Sequence, residues 1–212
     1  MYAPVIFREY DIRGVYNGQF DDHFAYLLGR AYVVYMKQNK EISHPTVAIG
    51  HDARTSCPAI VKNLAKGLVE SGAKVIHLGL VTTPVCYFST FELKGVDGAV
   101  QVTGSHNPPE FNGFKISVGK STIFGAEIQK LREIIEKNEF INGNGSEEHF
   151  DIKPMYYERY KKEFGQMKDI KIVLDCGNGA GDSVVKGLFE AVGLKPTILF
   201  EKLDGTFPNH HP

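Results

Sequence analysis

The chain has 212 residues, enough for one large domain or two small ones that each bury a core. Its 24 lysines and arginines nearly balance 25 aspartates and glutamates, so no global field would attract nucleic acid or a membrane surface. No apolar run approaches the roughly 20 residues of a membrane-spanning helix, and no signal-peptide pattern opens the chain. Three widely spaced cysteines match no metal-binding motif. These features exclude nucleic-acid and membrane partners and predict a cytoplasmic protein with reduced, mostly buried thiols.

The first half of the chain has the alternation of strand and helix patterns that is typical of a parallel α/β sheet. A helical pattern at residues 23–38 precedes TVAIG (46–50), a short apolar run that predicts a strand. A second helix is predicted from Pro58, a favourable first helical residue, to Gly72, and KVIHL (74–78) is the next strand. Strand, helix and strand in this order predict one βαβ crossover.

Two more strands and a closing helix complete the first predicted domain, residues 1–150. GAVQVTG (98–104) is apolar and FKISV (114–118) alternates, so the residues between them should form a loop. AEIQKLREIIEK (126–137) has one apolar stripe and predicts an amphipathic helix. The next segment, residues 138–151, is polar and glycine-rich without a period, and we interpret it as a loop or linker.

Residues 151–212 repeat part of this plan. After a helix at about 153–165, KIVLD (171–175) and PTILF (196–200) predict two strands on either side of another helix. The expected fold class is therefore α/β, with mixed, largely parallel sheets flanked by helices in two related domains. The final run, LDGTFPNHHP (203–212), is typical of a turn, and so we expect the second domain to be incomplete in this chain.

The segment VTGSHNPPEFNGFKI (102–116) holds the clearest candidate for chemistry. It places Ser105 in a loop after a strand, at the edge where open α/β sheets bind ligands. Two prolines restrict the backbone there and keep Asn107 out of helical conformation, so the loop should be stiff. Stiffness suits a hydroxyl that must stay in reacting geometry.

Three interpretations of Ser105 compete. A hydrolase nucleophile is disfavoured because G-x-S-x-G fails at both glycines, and because His106 should point away from Ser105 in an extended chain. A phosphate carrier would bear a phosphoryl group neutralised by a divalent cation such as Mg²⁺. A structural turn is equally compatible with serine, asparagine, proline and glycine. The residues alone leave the last two interpretations open.

Four motifs of the chain occur together, in the same order, in one enzyme family. They are FREYDIRG (7–14), AIGHDARTS (48–56), TGSHNPPEFNGFKI (103–116) and LDGTFPNHHP (203–212). In these motifs the chain resembles the α-D-phosphohexomutases, and within them the bacterial phosphomannomutase/phosphoglucomutase type. The glucosamine-type members usually carry glycine, threonine and aspartate in the first motif, where this chain has Arg8, Glu9 and Tyr10. The resemblance extends over essentially the whole chain.

The resemblance implies that Ser105 is a phosphoserine whose phosphate contributes an oxygen ligand to Mg²⁺. It places His106 and Lys115 where the family has catalytic groups that contact the transferring phosphate or assist proton transfer. Their chemistry agrees with this, since a histidine titrates near neutrality and a lysine supplies a point charge or a proton. In phosphoryl transfer the protein mainly positions groups and stabilises charge.

Four further residues receive roles from the same resemblance. Tyr10 and Arg13 match residues of the family that line the cleft and bind substrate, and Arg13 could grip a phosphate in a fork. Arg54 is assigned a supporting role as a charge near the serine, and Asn107 a supporting role within its loop.

By resemblance, the parent enzyme is an isomerase, an intramolecular phosphotransferase that interconverts the 1-phosphates and 6-phosphates of mannose or glucose. The phosphoserine gives its group to the sugar, a hexose 1,6-bisphosphate forms, and the other phosphate returns to the serine. The family completes its Mg²⁺ site with a D-G-D-x-D-R loop, which this sequence lacks. We therefore expect the 212-residue chain alone to be inactive. The sequence indicates neither the preferred sugar nor the oligomeric state.

Other functions stay open as alternatives. The chain could be a non-catalytic phosphosugar-binding fragment, or belong to a phosphoglucosamine-type mutase. A nucleotide-binding oxidoreductase would depend on CGNGAG (176–181), but G-x-G-x-G is not G-x-G-x-x-G, and a tight strand-to-helix turn is favoured. Thr82 and Thr83 could contact phosphate, although a buried turn before a helix is favoured. His210 and His211 are disfavoured as a metal pair because adjacent side chains diverge in an extended chain.

Overall fold

The computed structural model describes residues 2–168 and 170–211. Over these residues the larger sheet has seven strands, and it is mixed. The strands are β1 (Ile12–Val15), β2 (Thr46–His51), β3 (Lys74–Leu80), β4 (Gly98–Val102), β5 (Phe111–Val118), β6 (Ser121–Thr122) and β7 (Ser146–His149). Their order is β1-β5-β4-β2-β3-β7, with β6 paired to β5. The run β4-β2-β3-β7 is parallel, whereas β1, β5 and β6 pair antiparallel.

Helices cover both faces of this sheet. Three of them, α1 (Asp22–Asn39), α2 (Cys57–Glu70) and α4 (Ala126–Lys137), contribute to one apolar cluster, and α3 (Thr83–Glu92) contributes to another. Strand β2 shows the division, because Val47 and Ile49 belong to the first cluster and Ala48 to the second. Successive side chains of a strand point to opposite faces, so a central strand buried on both sides is apolar throughout.

The prediction of a loop or linker over residues 138–151 is wrong for residues 146–149. Residues Ser146–His149 form β7, which pairs in parallel with β3 at the edge of the sheet. All four residues are exposed, so neither face imposes the apolar alternation that would have predicted a strand. The strand depends on backbone pairing, assisted by an ion pair of 2.9 Å between Lys74 and Glu148.

The remaining elements form a C-terminal unit, which we define as α5 (Lys153–Phe164), β8 (Val173–Asp175), α6 (Asp182–Ala191), β9 (Thr197–Leu199) and the turns that follow. Strands β8 and β9 pair in parallel, with α6 between them in the chain. Helix α5 packs against α3, where the rings of Phe88 and Tyr156 meet edge to face at 5.1 Å. We call the elements from β1 to β7 the N-terminal unit.

The α/β class with a mixed sheet flanked by helices is confirmed. The predicted helix at residues 126–137 has the observed bounds of α4. The helix predicted at 23–38 is one residue shorter than α1 at each end, and the helix predicted at about 153–165 ends one residue after α5. The domain division at residue 150 stays a prediction. Among the helices of the described residues, none is both long enough and apolar enough to span a membrane.

Candidate functional site

Ser105 lies in the loop between β4 and β5, residues 103–110, which we call the serine loop. Its backbone has φ of +56°, a left-handed conformation that is rare for a residue with a Cβ. The Ser105 N–H donates to Oγ1 of Thr103 over 2.9 Å. A strained backbone persists only where its surroundings hold it, and such strain clusters at functional sites.

His106 is exposed, and its Nδ1 lies 3.4 Å from Oγ of Ser105. The expectation that the two adjacent side chains diverge is therefore wrong. It assumed an extended backbone, whereas the left-handed conformation of Ser105 turns the two side chains toward each other. At 3.4 Å the contact is at the long limit of a hydrogen bond, so it brings the imidazole near the hydroxyl without a strong bond.

Arg54 organises the backbone of the serine loop. Its side chain is buried, and its guanidinium donates to four backbone carbonyls of the loop and of the strand that follows. These are Ser105 at 2.9 Å, Asn107 at 2.7 Å, Pro108 at 2.6 Å and Phe111 at 3.0 Å. A planar guanidinium with five donors suits this task, which a lysine could not perform. Arg54 thus acts through the loop backbone, in addition to the charge that the sequence assigned to it.

Asp52 connects Arg54 to the start of the loop. Its Oδ2 accepts from Nε of Arg54 over 3.1 Å and from Oγ1 of Thr103 over 2.7 Å. Its Oδ1 accepts from the Arg54 backbone N–H over 3.0 Å, and the thiol of Cys57 lies 3.1 Å away. Burial, followed by the Asp52 charge, raises the pKa of the Cys57 thiol far above its usual range. The carboxylate is therefore fully engaged in holding the loop.

Gly104 allows this close approach. A Cβ at this position would lie 2.5 Å from both Cζ and Nε of Arg54, which is closer than real atoms come. The absence of a side chain therefore lets the guanidinium reach the carbonyls of the loop.

A second ionic cluster lies at the antiparallel edge of the sheet. Arg13 on β1 donates to a carboxylate oxygen of Asp11, and Lys115 on β5 lies 3.4 Å from the same oxygen. The second terminal nitrogen of the Arg13 guanidinium, Nη1, donates to Oδ1 of Asn107 over 2.6 Å. Asp11 and Arg13 are buried, whereas Lys115 retains a quarter of its side-chain exposure. The cluster joins two sequence-predicted residues, Arg13 and Lys115, and connects them to the serine loop through a third, Asn107.

Tyr10 is not part of either cluster. Its side chain is 70% exposed, and no side-chain hydrogen bond of Tyr10 occurs among the described residues. Its substrate-binding role therefore stays a prediction.

A cavity of about 310 Å³ opens beside Ser105, between the two units. Its lining includes Thr82 and Thr83, at the beginning of α3, and the turn after β8. The CGNGAG segment forms this turn between β8 and α6, as the favoured interpretation predicted. The lining residues are Asp52, Ala53, Val81, Thr82, Thr83, Pro84, Gln101, Thr103, Ser105, Cys176, Gly179, Ala180, Gly181 and Phe207.

The described residues near Ser105 do not provide a magnesium site. No group of three or more histidine, cysteine, aspartate or glutamate side chains there could hold a metal ion. Two carboxylates beside the arginines that contact the serine loop, Asp52 and Asp11, are already paired with those arginines. Mg²⁺ needs several oxygen ligands in near-octahedral geometry, and Ser105 could contribute only through a phosphate.

His210 and Asp175 form the ionic contact of the C-terminal unit that joins its final loop to β8. Nε2 of His210 lies 3.0 Å from both carboxylate oxygens of Asp175, and its Nδ1 lies 2.9 Å from the carbonyl of His211. The His211 carbonyl and then Asp175 raise the pKa of His210 above its ordinary value. His210 and His211 are thus not a metal pair here: one binds a carboxylate, and the backbone of the other accepts from it.

Sequence reasoning missed Asp11, Asp52 and Thr103. Asp11 and Asp52 each stand two residues before an arginine that had been singled out, which was the available signal. An acid at that spacing in a loop or at a strand end can pair with the arginine, but the sequence does not show which side chains will be buried together.

The comparisons with known proteins agree with one another. The family model described as phosphoglucomutase/phosphomannomutase, alpha/beta/alpha domain I, matches residues 4–142. A phosphomannomutase/phosphoglucomutase of Pseudomonas aeruginosa is 44% identical over 98% of this chain and 44% of that protein. A phosphoglucomutase of Neisseria gonorrhoeae is 39% identical over 98% of this chain and 45% of that protein.

A solved structure resembles the whole fold. A phosphoglucomutase/phosphomannomutase family protein from Burkholderia thailandensis superimposes with a TM-score of 0.93 at 38% identity, over 100% of this chain and 47% of that one. The chain therefore spans less than half the length of these relatives.

Proposed function

Because the chain belongs to the phosphoglucomutase/phosphomannomutase family, we propose that it carries the phosphoserine part of a phosphohexomutase active site. The observation that supports this most strongly is the strained Ser105, whose loop is held by a buried arginine and borders a cavity. A turn without a function would not need a left-handed serine fixed by so many contacts.

The proposed reaction transfers one phosphoryl group at a time. The bond between Oγ of phospho-Ser105 and phosphorus breaks while a hydroxyl oxygen of the hexose phosphate bonds to phosphorus. The hydroxyl proton passes to a nearby base, and the serine oxygen accepts a proton or remains paired with a cation. The resulting hexose 1,6-bisphosphate then returns its other phosphate to Ser105, and the isomeric sugar phosphate leaves.

The neighbours of Ser105 have suitable chemistry for these steps. Nδ1 of His106 lies 3.4 Å from the serine oxygen, where an imidazole nitrogen can donate or accept a proton. Lys115 and Arg13 supply positive charge, and Asp11 contacts both of them. Tyr10, exposed at the surface, is proposed to contact the sugar phosphate.

The substrates in this proposal are glucose or mannose phosphates and the corresponding 1,6-bisphosphates, in the cytoplasm. Mg²⁺ is proposed as the counter-ion of the phosphoserine. The described residues around Ser105 do not supply its other ligands. Arg54 and Asn107 are proposed to support the serine loop, through the contacts described above.

Phosphorylation of the chain tests the proposal. The 212-residue chain is incubated with glucose 1,6-bisphosphate or mannose 1,6-bisphosphate and Mg²⁺, and its intact mass is recorded. We expect the gain of one phosphoryl group, and peptide mapping should place it on Ser105. Ser105→Ala should gain none. A phosphate mapped to another residue, or equal labelling of Ser105→Ala, would sink the assignment.

A non-catalytic phosphosugar-binding fragment is the second candidate. It is favoured by the lack of a metal-binding cluster within residues 2–168 and 170–211. The phosphorylation experiment separates the two, since a non-catalytic fragment should bind a hexose phosphate without gaining a phosphoryl group. Robust turnover by the 212-residue chain would contradict this candidate, together with the expectation that the chain alone is inactive.

A further inference from the structure

We propose that the turn at residues 204–207 of the C-terminal unit positions the serine loop, because Gly205 and Phe207 lie against Arg54. The two residues act through Arg54 and touch no reacting atom, so they are positioning residues. The inference rests on the proposed function, in which the serine loop must hold Ser105 in reacting geometry.

The first observation concerns the faces of the Arg54 guanidinium. Its edge donates to the carbonyls of the serine loop, so the polar contacts lie in the plane of the group. Cζ of Arg54 lies over the Phe207 ring, 5.1 Å from the ring centroid. Arg54 is 1% exposed and Phe207 is 9% exposed, so the ring helps to keep water from the guanidinium. A guanidinium over an aromatic ring is attracted to it, more strongly when the pair is desolvated.

The second observation is the fit of Gly205. A Cβ at this position would overlap the carbonyl of Ala53 and lie 2.7 Å from the Thr55 nitrogen and 2.8 Å from Cα of Arg54. The backbone of the turn therefore touches the backbone on both sides of Arg54. Such a close approach requires glycine at position 205. It takes place at Arg54, whose side chain holds the serine loop.

The third observation is that the turn is tied to the C-terminal unit. The backbone N–H of Asp204 donates to the carbonyl of Asn178 over 2.9 Å, and Oδ1 of Asp204 accepts from the Thr206 N–H over 3.0 Å. The side-chain amide of Asn178 donates to the backbone carbonyl of Lys202 over 2.8 Å. Phe207 itself has φ of +52°, a conformation that these contacts must maintain.

These contacts form a continuous path from the turn after β8 to Ser105. The C-terminal unit holds the 204–207 turn, the turn covers Arg54, and Arg54 holds the carbonyls of the loop. If Phe207 is removed, water can reach the guanidinium and compete for its hydrogen bonds. The loop should then leave its strained conformation more often, and Ser105 should spend less time in reacting geometry.

Amide hydrogen exchange on the 212-residue chain tests the loosening of the serine loop without depending on catalytic activity. In Phe207→Ala, amides of the serine loop that are bonded within the fold, such as Ser105 and Asn107, should exchange roughly tenfold faster. Phe207→Tyr keeps the ring and should restore slow exchange. Phe200→Ala removes a 40% exposed ring from the same unit and serves as the matched control.

Global loosening is distinguished by the amides of β2, which should exchange equally slowly in all variants. If Phe207→Ala fails to fold, Phe207→Leu keeps an apolar cover without the ring and should give a smaller acceleration in the same loop. Unchanged loop exchange in the folded variant would overturn the inference. So would equal acceleration in β2, because the effect would then be a general loss of stability.

Phosphorylation by glucose 1,6-bisphosphate adds a functional readout. The rate of Ser105 labelling should fall about tenfold in Phe207→Ala, because even a small displacement of a reacting hydroxyl is costly, and should recover in Phe207→Tyr. If the unmodified chain is never labelled, the proposed function fails, while the exchange experiment still decides whether the turn fixes the loop. If the unmodified chain and Phe207→Ala are labelled at equal rates, the positioning role is refuted and the proposed function stands.

Discussion

The Lys115 ammonium lies 3.4 Å from Oδ2 of Asp11, the same oxygen that accepts from the guanidinium of Arg13. One buried carboxylate is therefore the shared counter-ion of two cations from different strands. Removing that carboxylate would leave a buried guanidinium without its counter-ion, which is far more costly than losing an exposed ion pair. Asp11 is thus the residue on which the positive side of the site depends.

We expect Asp11→Asn to lower the free energy of unfolding by about 3 kcal/mol, the usual cost of breaking a buried ion pair. Urea denaturation of the chain measures this. In Asp11→Asn/Arg13→Gln both charges are absent, so the double variant should be less destabilised than the sum of the two single variants. Additive losses in this cycle would mean that Asp11 and Arg13 do not stabilise each other.

The left-handed backbone of Ser105 should lower the stability of the fold. Its left-handed conformation strains any residue with a Cβ, but not glycine. We expect Ser105→Gly to be more stable than Ser105→Ala by about 1 kcal/mol in urea denaturation, although neither variant can accept a phosphate. Equal stability of the two variants, or a less stable Ser105→Gly, would contradict a strained loop.

Gly104→Ala should disrupt the serine loop, because the added methyl group would meet the Arg54 guanidinium at 2.5 Å. We expect a loss of about 2–3 kcal/mol in the free energy of unfolding, the range of overpacked and strained sites. Gly179→Ala is the matched control, since its Cβ would meet only ordinary contacts of 3.4 Å or more. If the two variants unfold at the same urea concentration, the close packing of Arg54 on Gly104 is not required.

The sequence indicates candidate site residues, but it does not indicate the contacts that hold them. The motif residues Ser105, Arg13 and Lys115 could be singled out from the resemblance, and the structure joins the last two through Asp11. The four carbonyl contacts of Arg54 could not be foreseen, because they are made to backbone atoms whose positions depend on the fold. Backbone contacts leave no trace in side-chain identity, except at a glycine such as Gly104.

The fold shows the same limit. Helix α4 was predictable because its apolar stripe has a clear period, whereas β7 was missed because both of its faces are exposed. Its formation depends on the free edge of β3, a tertiary feature that local sequence does not encode. The contact between His106 and Ser105 was missed for a similar reason, since only the left-handed backbone brings them together.

The three thiols should differ in reactivity. Burial raises the pKa of Cys86 to about 12 and that of Cys57 further, while Cys176 is only partly buried and has a smaller rise. At pH 8, a disulfide reagent such as 5,5′-dithiobis(2-nitrobenzoate) should modify one thiol in the native chain and all three after unfolding in guanidinium. Cys176→Ser should abolish the native reaction. Rapid native modification of two or more thiols would contradict the burial of Cys57 and Cys86.

The contact between His210 and Asp175 predicts a pH dependence of the C-terminal unit. Both imidazole nitrogens of His210 face acceptors, the His211 carbonyl and the Asp175 carboxylate, so the protonated ring is favoured. The pKa of His210 is raised above its ordinary 6.5 and that of Asp175 is lowered below its ordinary 3.8. The contribution of His210 to stability is therefore fully present below pH 6.5 and is lost as pH rises through its raised pKa.

Asp175 acts in the opposite direction, since its contribution is present above pH 3.8 and is lost as pH falls through its lowered pKa. The pair should thus stabilise the fold most between these two values. Proton NMR titration of the His210 ring, assigned with His210→Gln, should give a pKa above 6.5. In Asp175→Asn that pKa should fall only in part, because the His211 carbonyl remains an acceptor. A pKa at or below 6.5 in the unmodified chain, or one that Asp175→Asn leaves unchanged, would show that the contact does not form in solution.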